Sequence, residues 1–412
     1  MEPNIRLKGY SKEWQQVRLG EIGSFKSAGV DKKINANESM INLLNYMDVY
    51  NKKDINASNC NELMHVSATS KQIQECNVLK GDIFFTPTSE TAEDIGHVMT
   101  IEEDLPNTCY SYHLMRFRPQ KDVFYGSFPN YGLESDYIRK QMVLAAKGVQ
   151  RMVIGKSDFD ALSVYLPTIN EQKDISKFFN NLNALIKACN QKIESLKKLK
   201  IASLQSMIPV NEELLPLVRF GSFDKDWTRV KLGDILIERH EASTITSELP
   251  QLSFTIADGV IRPEDRKSNQ RDFLIKDKDN KRYLVTRVGD IIYNPANVVY
   301  GAIHRNSLID GVVSPIYRIF STEQDSRFME CVVRRPSFIS QLAMRTEGTV
   351  TKLKTLKPEA FLDMTVCIPT DLEEQKMIGE YFRNLDSQIT LQTQRLEKLK
   401  QIKSACLDNM FV

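Results

Sequence analysis

Leu166-Pro167-Thr168-Ile169-Asn170-Glu171-Gln172-Lys173 returns further along the chain as Ile368-Pro369-Thr370-Asp371-Leu372-Glu373-Glu374-Gln375-Lys376, with Gln172 and Gln375 in register at an offset of 203. In each copy a proline closes an apolar run, and the residue before a proline is held out of the helical region, so a strand ends there. Thr168 with Glu171, and Thr370 with Glu373, have the Thr-x-x-Glu spacing of a capping box, so a helix begins there. Beyond each start the apolar residues keep step. Leu182, Ile186, Cys189, Ile193 and Leu196 advance by four, three, four and three, and Leu385, Ile389, Gln392, Leu396 and Leu399 repeat the series at the same offset of 203. That is the spacing of a coiled-coil seam. One such stripe would equally suit an amphipathic helix packed on its own domain; two matching stripes favour pairing with each other. Gln392 either weakens the second seam or fixes its register.

The repeat extends upstream in the same order. Trp14-Gln15-Gln16-Val17-Arg18-Leu19-Gly20-Glu21-Ile22 recurs as Trp227-Thr228-Arg229-Val230-Lys231-Leu232-Gly233-Asp234-Ile235, and Gly81-Asp82-Ile83-Phe84-Phe85-Thr86-Pro87 recurs as Gly289-Asp290-Ile291-Ile292-Tyr293-Asn294-Pro295. The offset shrinks along the repeat from 213 through 208 to 203, as loop insertions and deletions produce. Three ordered matches establish a duplicated unit. Between them the halves diverge almost completely, so one frame carries two different contents. The first part of each half has short β-branched and aromatic runs bounded by Gly, Pro, Asn and Asp, interrupted by helical stretches such as 137–146. The expected fold class is α+β: two tandem α+β heads and two long helices forming an antiparallel coiled coil, related by a pseudo-twofold axis. The boundaries expected are a head at 1–167, a central helix at 168–208, a linker at 209–226, a second head at 227–369 and a C-terminal helix at 370–412.

Composition sets limits on what such a chain does. Its 412 residues allow two or three domains, and 42% hydrophobic with 26% charged residues is the balance of a globular protein rather than a disordered one. No run reaches 18 apolar residues and Met1-Glu2-Pro3-Asn4-Ile5-Arg6 lacks the apolar core of a signal peptide, so a cytoplasmic protein with no membrane partner is expected. Seven cysteines without a Cys-x-x-Cys pair read as reduced structural thiols. The net charge of +2 means that any basic surface is local. Five scattered histidines show no metal-ligand spacing, no Gly-rich cofactor loop follows a strand, and no Walker lysine loop is present, so no metal site and no catalytic residue is assigned. Asn294-Pro295 invites comparison with the adenine-gripping Asn/Asp-Pro-Pro-aromatic motif of amino-methyltransferases, but Ala296 and Asn297 replace the second proline and the ring.

Two antiparallel helices of roughly 30 residues span about 45 Å, which suits heads reaching successive major-groove faces about 34–36 Å apart. Unlike head interiors then imply unlike half-sites. The Trp-x-x-Val-x-Leu-Gly-x-Ile opening, the Gly-Asp-Ile strand and the Pro-x-x-Glu-Gln entry into a Leu/Ile-periodic helix, each present twice, resemble the specificity subunits of type I restriction-modification enzymes over nearly the whole chain. The resemblance implies two target recognition domains and two helical spacers, binding double-stranded DNA, methyltransferase subunits and, in the restricting complex, translocase-nuclease subunits. It also implies that S-adenosylmethionine, ATP and Mg serve those partners, with no cofactor in this chain.

Candidate DNA contacts follow from chemistry. In the second head Arg262, Arg266, Lys267, Arg271, Lys276, Lys278, Lys281, Arg282 and Arg287 fall close together, and lysine and arginine gain affinity for phosphates by releasing counterions; a solvated loop face is the competing reading. Lys52 and Lys53, after an expected strand, are the weaker counterpart in the first head. Lys147-Gly148-Val149-Gln150-Arg151 aligns through its glycine with Arg345-Thr346-Glu347-Gly348-Thr349-Val350-Thr351-Lys352, where a plain turn competes with a loop laid against DNA. Thr86-Pro87-Thr88-Ser89 and Asn294-Pro295-Ala296-Asn297 could present Thr88, Asn294 and Asn297 to a groove, although loop chemistry alone explains them equally. Two rivals stay open at the level of sequence: a self-contained adenine DNA methyltransferase, and a two-headed protein-binding adaptor without salt-dependent DNA affinity.

Overall fold

Glycine at positive φ followed by a buried aspartate starts the central strand of each head. Gly81 (φ +89°) and Gly289 (φ +101°) adopt the left-handed turn that favours glycine. Asp82 and Asp290 are buried, and each takes a bidentate arginine: Arg118 at 2.6 and 2.7 Å, Arg239 at 2.9 and 3.0 Å. The two arginines come from different places in the repeat, yet they neutralise the same buried charge. The computed structural model describes residues 2–209, 213–221, 223–266, 282–347 and 355–411.

In the first head, Ile83–Phe85 lies between Met115–Pro119 and Val98–Thr100, with Gly23–Lys26 at the edge of an all-antiparallel four-stranded sheet. A second sheet orders Met64–Ala68, Ser39–Leu44 and Thr108–Tyr110, the last pair parallel. Phe84 packs with the core of the second sheet and Phe85 with the other core, as the period-two alternation of a strand requires. In the second head Ile291–Tyr293 occupies the same place, between Arg318–Ser321 and Ile303–Arg305. A two-stranded clasp closes each head: Gln15–Arg18 against Ser163–Leu166, and Trp227–Lys231 against Thr365–Pro369.

From each clasp the chain enters a 39-residue helix, Ile169–Met207 in the centre and Leu372–Met410 at the C-terminus. The capping boxes are not formed as the Thr-x-x-Glu spacing suggested. Thr168 Oγ1 accepts the Glu171 N–H at 3.4 Å, but the Glu171 side chain turns inward; in the second copy Asp371, not Thr370, caps the helix, accepting the Glu373 N–H at 2.9 Å. Among the described residues no helix is long and apolar enough to cross a membrane.

The compact units do not separate heads from helices. One unit holds Met1–Asn190 with Arg395–Val412, the other Gln191–Gln394, so both helices are shared. In the first unit, Met410 and Phe411 pack against Trp14, Phe128 and Phe179 near the start of the central helix. In the second, Lys200 pairs with Asp386 and Ser203 with Tyr381 at 2.9 Å, so the later part of the central helix runs antiparallel to the early C-terminal helix. Leu182, Cys189, Ile193, Leu196, Leu385 and Leu396 are buried, whereas Ile186, Ile389, Gln392 and Leu399 are half-buried. Burying one such side chain contributes about 1.5–3 kcal/mol, which is why the stripe is apolar.

Candidate nucleic-acid interface

A lock that periodicity does not disclose fixes each head on its helix. Glu171 and Glu374, with 1% and 0% exposure, accept a bidentate arginine from eight residues before the clasp tryptophan: Arg6 at 2.7 and 2.8 Å, Arg219 at 2.6 and 2.7 Å. The same carboxylates accept the indole N–H of Trp14 at 3.4 Å and of Trp227 at 3.2 Å. The carboxylate raises the pKa of each guanidinium, by hydrogen bonding first. Gln172 and Gln375 complete the lock by donating to Pro167 O and Pro369 O. Arg6 and Arg219 stand at the 213 offset of the tryptophans, which was the available signal for them.

Held on this frame, the tip of the first head gathers Thr88, Lys147, Gln150 and Arg151. Lys147 and Val153 exchange backbone hydrogen bonds at 3.0 and 2.9 Å, Val153 pairs with Thr88, and Ile154 N–H donates to Pro87 O at 2.9 Å. Gly148 (φ +146°) makes the loop possible, since a Cβ there would stand 2.0 Å from Arg151 O. Gln150 and Arg151 are exposed, and Arg151 has no ion pair among the described residues. Sequence reasoning missed the neighbours. Tyr46 donates its hydroxyl to Thr88 O at 2.6 Å and stacks on Tyr50, which meets the His97 ring edge-on at 4.6 Å. Burial, then Lys32 and Arg151, lower the pKa of His113, whose ring lies 4.0 Å from that of Tyr112. Lys147 pairs with Asp158 at 3.2 Å, and aromatic faces beside the exposed Arg151 suit base stacking and phosphate contact together. The signal for them was aromatic residues interleaved with lysine and histidine.

The second head repeats the scaffold of this tip. Glu347 and Thr355 exchange backbone hydrogen bonds at 3.0 and 2.9 Å, and Leu356 N–H donates to Pro295 O at 3.0 Å. Asn294 does not offer its whole side chain to a groove as expected: its Oδ1 accepts the Ala296 N–H at 3.0 Å and holds the turn. Asn297 is half-buried in the same turn. Arg345 is exposed and pairs with Asp363 at 3.2 Å; Arg262, exposed, lies 4.0 Å from Glu264. Arg266 and Arg282 are exposed, and Arg287 pairs with Glu241 at 3.1 Å. Lys267, Arg271, Lys276, Lys278, Lys281, Gly348 and Lys352 lie outside the described residues. Exposed pairs of this kind add little stability and exchange readily for phosphate.

Lys52 and Lys53 follow a helix, Tyr46–Tyr50, rather than the expected strand, and they are not part of the tip. They line a groove of about 890 Å³ with Asn180, Asn183 and Lys403. Lys52 pairs there with Glu134 and Lys53 lies 3.8 Å from Asp48. Among the described residues no group of three His, Cys, Asp or Glu side chains is placed to hold a metal ion.

The fold defines a tandem protein of two α+β heads built on one repeated frame, in which both tip loops close on a proline carbonyl, Pro87 O and Pro295 O. The sequence matches the family described as Type I restriction modification DNA specificity domain twice, over residues 11–198 and 224–401, and the chain belongs to that family. It is 22% identical over 298 residues to the MjaVIII specificity subunit of Methanocaldococcus jannaschii, covering 68% of both chains. It is also 22% identical to the putative MjaX specificity subunit of that organism, over 82% of this chain and 79% of the other. The fold is that of the type I restriction-modification S subunit from M. genitalium, with a TM-score of 0.59 at 13% identity over 100% of this chain and 99% of that one.

Proposed function

We propose that this chain is the DNA sequence-specificity subunit of a type I restriction-modification complex, each head reading one half of an asymmetric bipartite target. The observation that carries this reading is the duplicated frame around unlike tips. The Arg-Glu-Trp lock and the loop closure on Pro87 and Pro295 recur almost atom for atom, while the loop sequences between differ. The paired helices set the unread spacer and dock methyltransferase subunits. Translocase-nuclease subunits join in a restricting complex. S-adenosylmethionine, ATP and Mg are used by those partners, and this chain contributes the address without catalysis.

The test is binding of the complex reconstituted with methyltransferase subunits to duplexes with and without the motif found methylated in the host genome. Specific duplexes should bind about a thousand-fold or more tighter than non-specific ones at physiological salt. Equal affinity for every sequence would reject the reading.

A further inference from the structure

In both heads the helix before the tip loop carries near its end an apolar side chain that no described residue covers. The helix Asp136–Ala145 buries Ile138 and Met142 and leaves Leu144 86% exposed. The helix Pro336–Met344 buries Phe338 and Leu342 and leaves Met344 79% exposed. All three positions correspond at an offset of 200, which is also the offset of Gly148 and Gly348. A lone exposed leucine needs no explanation. Recurrence in two heads that have otherwise diverged does, because lysine or glutamine would serve an exposed helical position as well and would remain in water at no cost.

The surroundings say what the side chain meets. Leu144 lines a shallow hollow with Glu93, Asp136, Arg139, Lys140 and Val143. Arg139 is turned inward onto Glu93 O and Ile95 O, and the loop that follows carries exposed Lys147, paired with Asp158, and exposed Arg151. Met344 is followed by exposed Arg345, and the turn Val298–Tyr300, with Tyr300 73% exposed, packs on its helix. An apolar point followed in the chain by a loop with exposed arginine matches a duplex, whose phosphates are charged and whose interior is a stack of apolar faces. Leucine and methionine are among the residues that proteins insert between base steps.

Resting on the DNA-recognition reading, we propose that Leu144 and Met344 are wedges, each entering the duplex at one base step of its half-site. Opening that step anchors the position at which the adjoining loop reads bases. Both side chains are solvent-exposed, so their replacement leaves the folded protein intact.

The experiment uses the reconstituted complex and its target duplex carrying 2-aminopurine at successive positions. Fluorescence should rise on binding at one step in each half-site. Leu144→Ser should abolish the rise in one half-site and Met344→Ser in the other, each weakening specific binding by about ten-fold, whereas Leu144→Met should keep the signal. Serine variants with full fluorescence and affinity overturn the wedge and leave sequence recognition standing. Loss of methyltransferase assembly in place of the fluorescence change assigns these side chains to a protein contact and also overturns it. Indifference of the unaltered complex to sequence overturns the recognition reading itself.

Discussion

Glu374 has no exposed surface and satisfies both Arg219 and the Trp227 indole, so truncating it strands the Trp227 N–H in the core of the second unit and takes the carboxylate from the half-buried Arg219 guanidinium. Removing one partner of such a pair costs about 3 kcal/mol. Glu374→Ala should therefore lower the unfolding free energy by about that much, and Glu374→Gln by less, because the amide still accepts from Trp227. Chemical denaturation of the two variants checks the order. A pH effect belongs to the same scale. His304 is 3% exposed, donates to Ile256 O at 2.8 Å, and burial holds its pKa down at about 4. The unfolded imidazole takes up its proton near pH 6.5, so the contribution is complete above that pH and is lost as pH falls from 6.5 toward 4, reaching about 3 kcal/mol. His304→Gln should show a shallower fall of the urea midpoint across this window than the parent chain; parallel slopes would contradict the assignment. At this scale the sequence was only partly legible. Thr-x-x-Glu spacing marked where each helix begins, but a buried tertiary partner, Arg6, outbid the local cap for Glu171, and no local pattern encodes that.

At the scale of elements the seam was readable because its period is a property of the helix itself. Its continuation was not, because it becomes polar. Lys200 and Lys403, then Ser203 and Cys406, then Met207 and Met410 extend the four-three spacing at the same offset of 203. Lys200 has its carboxylate in Asp386. The position equivalent to Asp386 in the first unit is Asn183, and Lys403 is half-buried beside it with its pKa lowered, by burial first and then by Lys52. Asn183→Asp, which gives up the donation from Asn183 to Tyr131 Oη at 2.9 Å, should add a carboxylate to that of Glu134 near Lys403, raise the pKa of Lys403 and stabilise the first unit by about 0.5–1 kcal/mol at neutral pH. Thermal unfolding at low and high salt reads this directly, since the gain should shrink as salt rises. The loops were least legible. Lys52 and Lys53 looked like the counterpart of a basic DNA-facing stretch, yet the helix Tyr46–Tyr50 carries them to a groove away from Arg151, a placement that charge spacing cannot convey.

For the whole molecule, the division of the chain makes the spacer hypothesis unusually testable. The boundary between the compact units cuts the central helix after Asn190 and the C-terminal helix after Gln394, nearly equivalent points of the repeat. A heptad inserted at both cuts leaves every contact inside each unit intact and preserves the four-three seam. An insertion in one helix alone would instead shift its seam against an unaltered partner. Seven residues at 1.5 Å add about 10 Å of helix, and at 3.4 Å per base pair that corresponds to about three base pairs. If the helices set the spacing and the heads the identity, the doubly lengthened protein should methylate a target with both half-sites unchanged and about three more unread base pairs between them. Sequencing of methylated motifs in a host carrying the variant measures both quantities at once. An altered half-site at the original spacing would show that the heads do not read independently of the helices that join them.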